Sequence, residues 1–106
     1  MKTADLTGAL LDFWVAKATG AKPSVDSQMQ FIPSTSWEQA GPIIEREGIH
    51  IAPMPGKGST WCATAVGRLQ DRANATPGPW IQGPTPLVAA MRAFVAAKFG
   101  TDVQNS

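Results

Sequence analysis

Thr85-Pro86-Leu87-Val88-Ala89-Ala90-Met91-Arg92-Ala93-Phe94-Val95 is the stretch whose reading decides the fold. Threonine followed by proline is a helix start. The Thr85 hydroxyl can accept from an orphan amide, and Pro86 at the first helical position lacks only a donor that would have gone unpaired. Leu87, Ala90, Met91, Phe94, Val95 and Lys98 then trace one helical face, with Gly100 as the stop. Ala89, Ala90, Ala93, Ala96 and Ala97 allow close backbone approach to a sheet or to another helix. Residues 101–106 are expected to fray.

Working outward, Ile49-His50-Ile51-Ala52 and Thr60-Trp61-Cys62-Ala63-Thr64-Ala65-Val66 read as two strands. Pro53 to Ser59 between them is rich in turn residues, so the pair is expected to form an antiparallel hairpin. Trp80-Ile81 adds a short edge strand after a Pro- and Gly-rich stretch. An isolated hairpin is marginal in water and needs helical cover. Two further helices supply it. Thr7 caps the first, with Leu6 and Leu11 placed as a hydrophobic staple and Leu10, Leu11, Trp14, Val15 and Ala18 as its apolar stripe. Asp12, Ala16 and Lys17 are expected on its outer side, and Gly20 ends it. The second starts at Ser34 or Ser36, where Ser36 and Gln39 have capping-box spacing. Gly41-Pro42 predicts a kink or a restart. Ile43 and Ile44 should face inward, and Glu45, Arg46 and Glu47 outward. The fold class is therefore α+β: a short antiparallel sheet of two or three strands packed between helices in an α/β/α-sandwich-like arrangement. One domain over residues 1–106 is expected, because 106 residues leave room for a single core.

Charge and cysteine content narrow the function classes. Lys+Arg 9 against Asp+Glu 8 gives a formal net charge of +1, and the cations are scattered. Neutralising a phosphate backbone needs clustered cations, so nucleic-acid binding is disfavoured. The single cysteine, Cys62, excludes an intrachain disulfide and fits a reducing cytoplasm. Asp5 and Asp12 interrupt the N-terminal apolar stretch, so neither a signal peptide nor a membrane span is expected.

Several segments resemble the NinX-like family of small bacteriophage and prophage proteins. They are Met1 to Asp12, the Ser34 to Ile49 stretch with its Gly41-Pro42-Ile43-Ile44-Glu45-Arg46-Glu47-Gly48 core, and the Thr85-Pro86-Leu87 helix. Ala21 to Phe31 and Pro53 to Trp80 do not match clearly. The resemblance implies an accessory phage gene product in the cytoplasm of a bacterial host. It brings no catalytic residues and no cofactor.

The residues themselves offer little chemistry. His50 and Cys62 are the only nucleophile–base pair. In a hairpin symmetric about Gly56 they would stand opposite each other on one face, with Ile49, Ile51, Trp61 and Ala63 on the other. A thiolate beside an imidazole could serve a small hydrolase or transferase. The structural alternative is a small buried thiol and an edge histidine. One His and one Cys cannot complete a zinc site, and Glu38, Glu45 and Glu47 lack a metal-loop pattern. No metal or cofactor is expected. Trp14, Trp37 and Trp61 are assigned to the core, with Trp80 left open. Protein binding is the leading class, with Met54, Trp80 and Ile81 as contact residues and a phage or host protein as partner. A homodimer through the sheet edge or the alanine-rich helix is the other expected association. Single-stranded nucleic-acid binding through Trp80, Arg68 and Arg72 is the third reading.

Overall fold

The computed structural model describes residues 1–20, 31–54, 56, 58, 60–67 and 78–103. A 3₁₀ turn at Thr3–Asp5 leads into α1 (Gly8–Thr19) and α2 (Trp37–Glu47). Strands β1 (Ile49–Pro53), β2 (Trp61–Ala65) and β3 (Ile81–Gly83) follow, then α3 (Pro86–Phe99). The strands form one antiparallel meander in the order β1-β2-β3. This is the α+β class that the sequence predicts.

Helix α3 is the centre of the molecule. Its predicted start is present: Thr85 accepts from the Val88 amide at 3.1 Å, with Pro86 in the first turn. Its burial is wider than one face, however. Val88, Ala89, Ala93 and Ala96 are buried along with Leu87, Ala90, Met91, Phe94 and Val95. A helix apolar all round lies inside a protein. The helix crosses all three strands, and α1 packs on its other side, reaching the sheet chiefly through α3. The alanines allow this double contact. The helix therefore has no alanine-rich face left for a dimer, and that expectation is corrected.

β3 meets α3 at Gly83. A Cβ built on this glycine would lie 2.6 Å from the Ala89 nitrogen and 2.9 Å from its Cα. Only a residue without a side chain admits so close a strand–helix contact.

Thr7 stands at the N-cap of α1, but its side chain makes no cap hydrogen bond, so the predicted cap is present in position only. Leu6 and Leu11 are fully buried at the start of α1, and Gly20 ends it in the left-handed conformation at φ 79. Asp12 and Ala16, expected outside, are buried. Residues 33–35 cover that flank, and the Ser34 amide donates to Asp12 Oδ1 at 2.9 Å. In α2, Ser36 caps the Gln39 amide as the spacing predicts. The Gln39 side chain instead accepts from the Ile32 amide, so the reciprocal half of the box does not form. The helix runs through Gly41-Pro42 without a second start. Proline removes one bond of the helical ladder, and the cap and the packing of Ala40 and Ile43 hold the helix across it.

Two α2 assignments are corrected. Glu47, expected outward, is only 4% exposed, and Arg46 Nε sits 2.9 Å from its carboxylate. It is the last helical residue before left-handed Gly48, where the chain turns into the sheet. Its carbonyl also accepts from the Gly67 amide, which ties the helix end to the end of β2. Trp37, assigned to the core, is 58% exposed. It occupies the first helical position, beside the line of Ala40, Ile43 and Glu47 that faces inward.

The chain ends are joined. Met1 and Val103 exchange backbone hydrogen bonds, Lys2 and Asp102 pair as an isolated antiparallel β-bridge, and the Thr3 amide donates to the Thr101 carbonyl. Val103 is buried in the core cluster. Residues 101–103 are thus docked where fraying was expected; residues 104–106 lie outside the described ones.

Candidate binding site along the third strand

Alternation decides which side chains of the sheet meet α3. Ile49, Ile51, Trp61, Ala63 and Ile81 share the helix-facing side and join the core cluster. His50, Ala52, Cys62, Thr64 and Gln82 share the other side. That division matches the sequence reading, but the register is offset by two residues. Thr64 faces His50, and Cys62 faces Ala52. His50 and Cys62 are therefore diagonal neighbours, a relation that sets residues roughly 7–8 Å apart rather than face to face. His50 is exposed, while the half-buried Cys62 thiol turns to the Ala52 carbonyl at 3.5 Å. Thr64, directly opposite His50, is buried and donates to the Gly78 carbonyl at 2.5 Å. No hydrogen bond links imidazole and thiol.

The second cluster is built around β3. A depression of about 510 Å³ is lined by Ala4, Thr60, Trp80, Ile81, Gln82, Gly83, Pro84 and Arg92. Trp80, just before β3, is 56% exposed. Ile81 lines the floor, and its side chain belongs to the core. Met54 does not line the depression. It sits half-buried at the hairpin end, where its amide donates to the carbonyl of Thr60, a lining residue. The two turn-rich connections leave opposite ends of the meander, and the depression runs along β3 between them. Arg68 and Arg72 lie outside the described residues.

Arg92 organises this cluster. It is the one charged side chain in the middle of α3; the other, Lys98, stands exposed in the last turn. Arg92 Nε donates to the Leu6 carbonyl at 2.7 Å and Nη1 to the Gln82 carbonyl at 2.9 Å. Burial pushes the guanidinium below the ordinary arginine value, and nearby Asp5 pushes it back up. Charge-assisted bonds to two carbonyls pin the N-terminal segment and β3 to α3. The sequence reading counted Arg92 only among the scattered cations. The signal was its position: a lone arginine between Met91 and Ala93 on a helix buried all round must find its own partners.

No group of three or more His, Cys, Asp or Glu residues that could hold a metal ion occurs among the described residues. Nor is any described helix long and apolar enough to cross a membrane.

What this architecture defines is a small α+β domain with a surface depression and no assembled catalytic constellation among its described residues. The family model described as "Bacteriophage P22, NinX" matches residues 2–98. The chain belongs to that family, and its class is accordingly that of a phage accessory protein. No curated protein matches the sequence.

Proposed function

We propose that the protein acts by binding another polypeptide, of phage or host origin, in the depression along β3. The observation that carries this reading is Trp80. More than half of this large aromatic side chain stands in solvent beside a depression whose other walls are Thr60, Gln82, Pro84 and the partly buried Arg92. Tryptophan beside a pocket with a few polar groups is the composition of an anchoring contact. Asp5 offsets the Arg92 charge, and two guanidinium donors are already spent on backbone carbonyls. Such a surface favours the mixed apolar and polar groups of a protein over the repeated charge of a phosphate backbone.

A tagged pull-down from host lysate tests this, comparing the native chain with Trp80→Ala. Loss of a central anchor is expected to weaken capture by about 2 kcal/mol, roughly thirtyfold. A Trp80→Ala chain that keeps every partner refutes the site. The other readings have their own tests. Salt-sensitive quenching of tryptophan fluorescence by oligonucleotides would favour single-stranded nucleic acid. A chemical activity lost on Cys62→Ala with the fold unchanged would favour an enzyme using His50 and Cys62.

A further inference from the structure

The two edges of the sheet are treated differently. On β3, the Gln82 carbonyl is taken by Arg92, and the N-terminal 3₁₀ turn packs alongside the strand. That edge is covered. On β1 the hydrogen-bond phase is fixed at both ends of the ladder. The Met54 amide donates to Thr60, and the Val66 amide donates to Gly48. Bonded pairs alternate with non-bonded ones along an antiparallel ladder. His50–Thr64 and Ala52–Cys62 are therefore the bonded pairs, and the backbone groups of Ile49 and Ile51 point away from β2. No hydrogen bond from any described residue meets them. β1 also lacks the usual devices that blunt an edge: it has no lysine and no inward charge, and its proline stands only at the far end, at Pro53.

We propose that β1 pairs antiparallel with β1 of a second copy of this chain, joining two three-stranded sheets into one across a two-fold axis at His50. The occupant follows from the strand's own pattern. With Ile49 opposite the second copy's Ile51, each of these residues gives one N–H and accepts one, so four hydrogen bonds form and none is missing. Moving the axis to Ile51 would set Pro53, which has no N–H, against the Ile49 carbonyl. Moving it the other way would draw in Glu47, which is helical. Apart from His50 the strand carries no titratable side chain, so no charge on it selects an oppositely charged partner. An isologous pairing of identical strands is the arrangement these groups satisfy completely.

The interface is short, and a reversible dimer with a dissociation constant on the order of 100 µM is expected. Sedimentation equilibrium on the full chain up to about 1 mM reads it directly. His50 is exposed and lies opposite its own copy at the axis. His50→Lys and His50→Glu should therefore each be monomeric, with unchanged circular dichroism, while an equimolar mixture of the two regains the dimer. In a Cys62→Ser background, His50→Cys should be trapped as a disulfide dimer by mild oxidation, because directly opposed residues of a non-bonded pair fall within disulfide reach. Gln82→Cys, an exposed position on the covered strand, should not be trapped. A monomer throughout the concentration range overturns the proposal. So does a dimer that survives His50→Lys, or one that His50→Cys fails to trap.

Discussion

Replacing Gly83 by alanine tests the central claim about this fold, that β3 and α3 touch backbone to backbone. The built Cβ would lie 2.6 Å from the Ala89 nitrogen, 2.9 Å from its Cα and 3.1 Å from the Val88 carbonyl carbon. All three are main-chain atoms of a buried helix, so no side chain can swing aside. Relief requires β3 and α3 to separate by several tenths of an ångström, against the packing of Ile81, Leu87 and Ala90. Overpacking of this kind costs about 1–3 kcal/mol, and the main-chain nature of the clash places it near the upper figure. Gly83 does not need a positive φ, so alanine also stiffens the unfolded chain, returning roughly 0.4–1 kcal/mol. The net loss is about 2 kcal/mol, a lowering of the melting temperature of roughly 8–16 °C for a domain of this size.

Thermal and urea denaturation followed by circular dichroism measure the loss. Gly41→Ala is the control. It lies in α2 with no positive φ and, its chain neighbours aside, nothing within 4 Å of its built Cβ. The gain in helix propensity is offset by the restraint that Pro42 places on the residue before it, so its melting temperature should change little. A Gly83→Ala chain that melts within about 2 °C of the native one would refute the close contact.

Substitutions at four further positions probe polar groups. Asp12→Ala strands the buried Ser34 amide and should cost about 1–3 kcal/mol, most of it recovered in Asp12→Asn, by urea denaturation. Arg92→Met removes the bonds to Leu6 and Gln82 and should destabilise by about 1.5–3 kcal/mol, with faster amide exchange at Ile81–Gly83 as the local readout. Two buried hydroxyls should behave oppositely. Thr64→Val gives up its bond to Gly78 and loses about 1 kcal/mol, whereas Ser34 Oγ is buried with no partner among the described residues, so Ser34→Ala should be neutral or stabilising in the same melts.

The elements were legible in the sequence where local chemistry alone places them. Thr85-Pro86, Ser36 with Gln39, Gly20 and Gly48 all mark helix ends that the structure contains. Strand alternation also identified the helix-facing side of the sheet, because parity survives a register shift of two residues. What could not be read was which flank of a helix a distant segment covers. Asp12 looks solvent-facing until residues 33–35 return to it, and Glu47 looks like a surface charge until β2 ends against it. Trp37 looks like core until its place at the first position of α2 is fixed. In each case hydrophobicity is a property of the residue, but burial is a property of its neighbours. The thiol and imidazole differ again, since their separation depended on a hairpin register that the turn residues left open. The depression was half legible: Trp80 was noted for its Pro- and Gly-rich surroundings, whereas Arg92 was one cation among several.

Arg92 also shows why the site and the fold must be tested separately. It lines the depression and at the same time holds the Leu6 and Gln82 carbonyls, so its loss would weaken both binding and packing. A binding defect in an Arg92 variant therefore says nothing about contact with a partner. Trp80 is different in kind. It makes no hydrogen bond among the described residues, stands mostly in solvent and lies outside the core cluster. Truncating it should leave the melting temperature nearly unchanged, because surface substitutions away from caps, cores and buried polar groups usually stay within about 0.5 kcal/mol. A Trp80→Ala chain that melts like the native protein and loses its partner isolates recognition from stability. One that melts many degrees lower shows that Trp80 is structural, and that the depression is a seam of the fold.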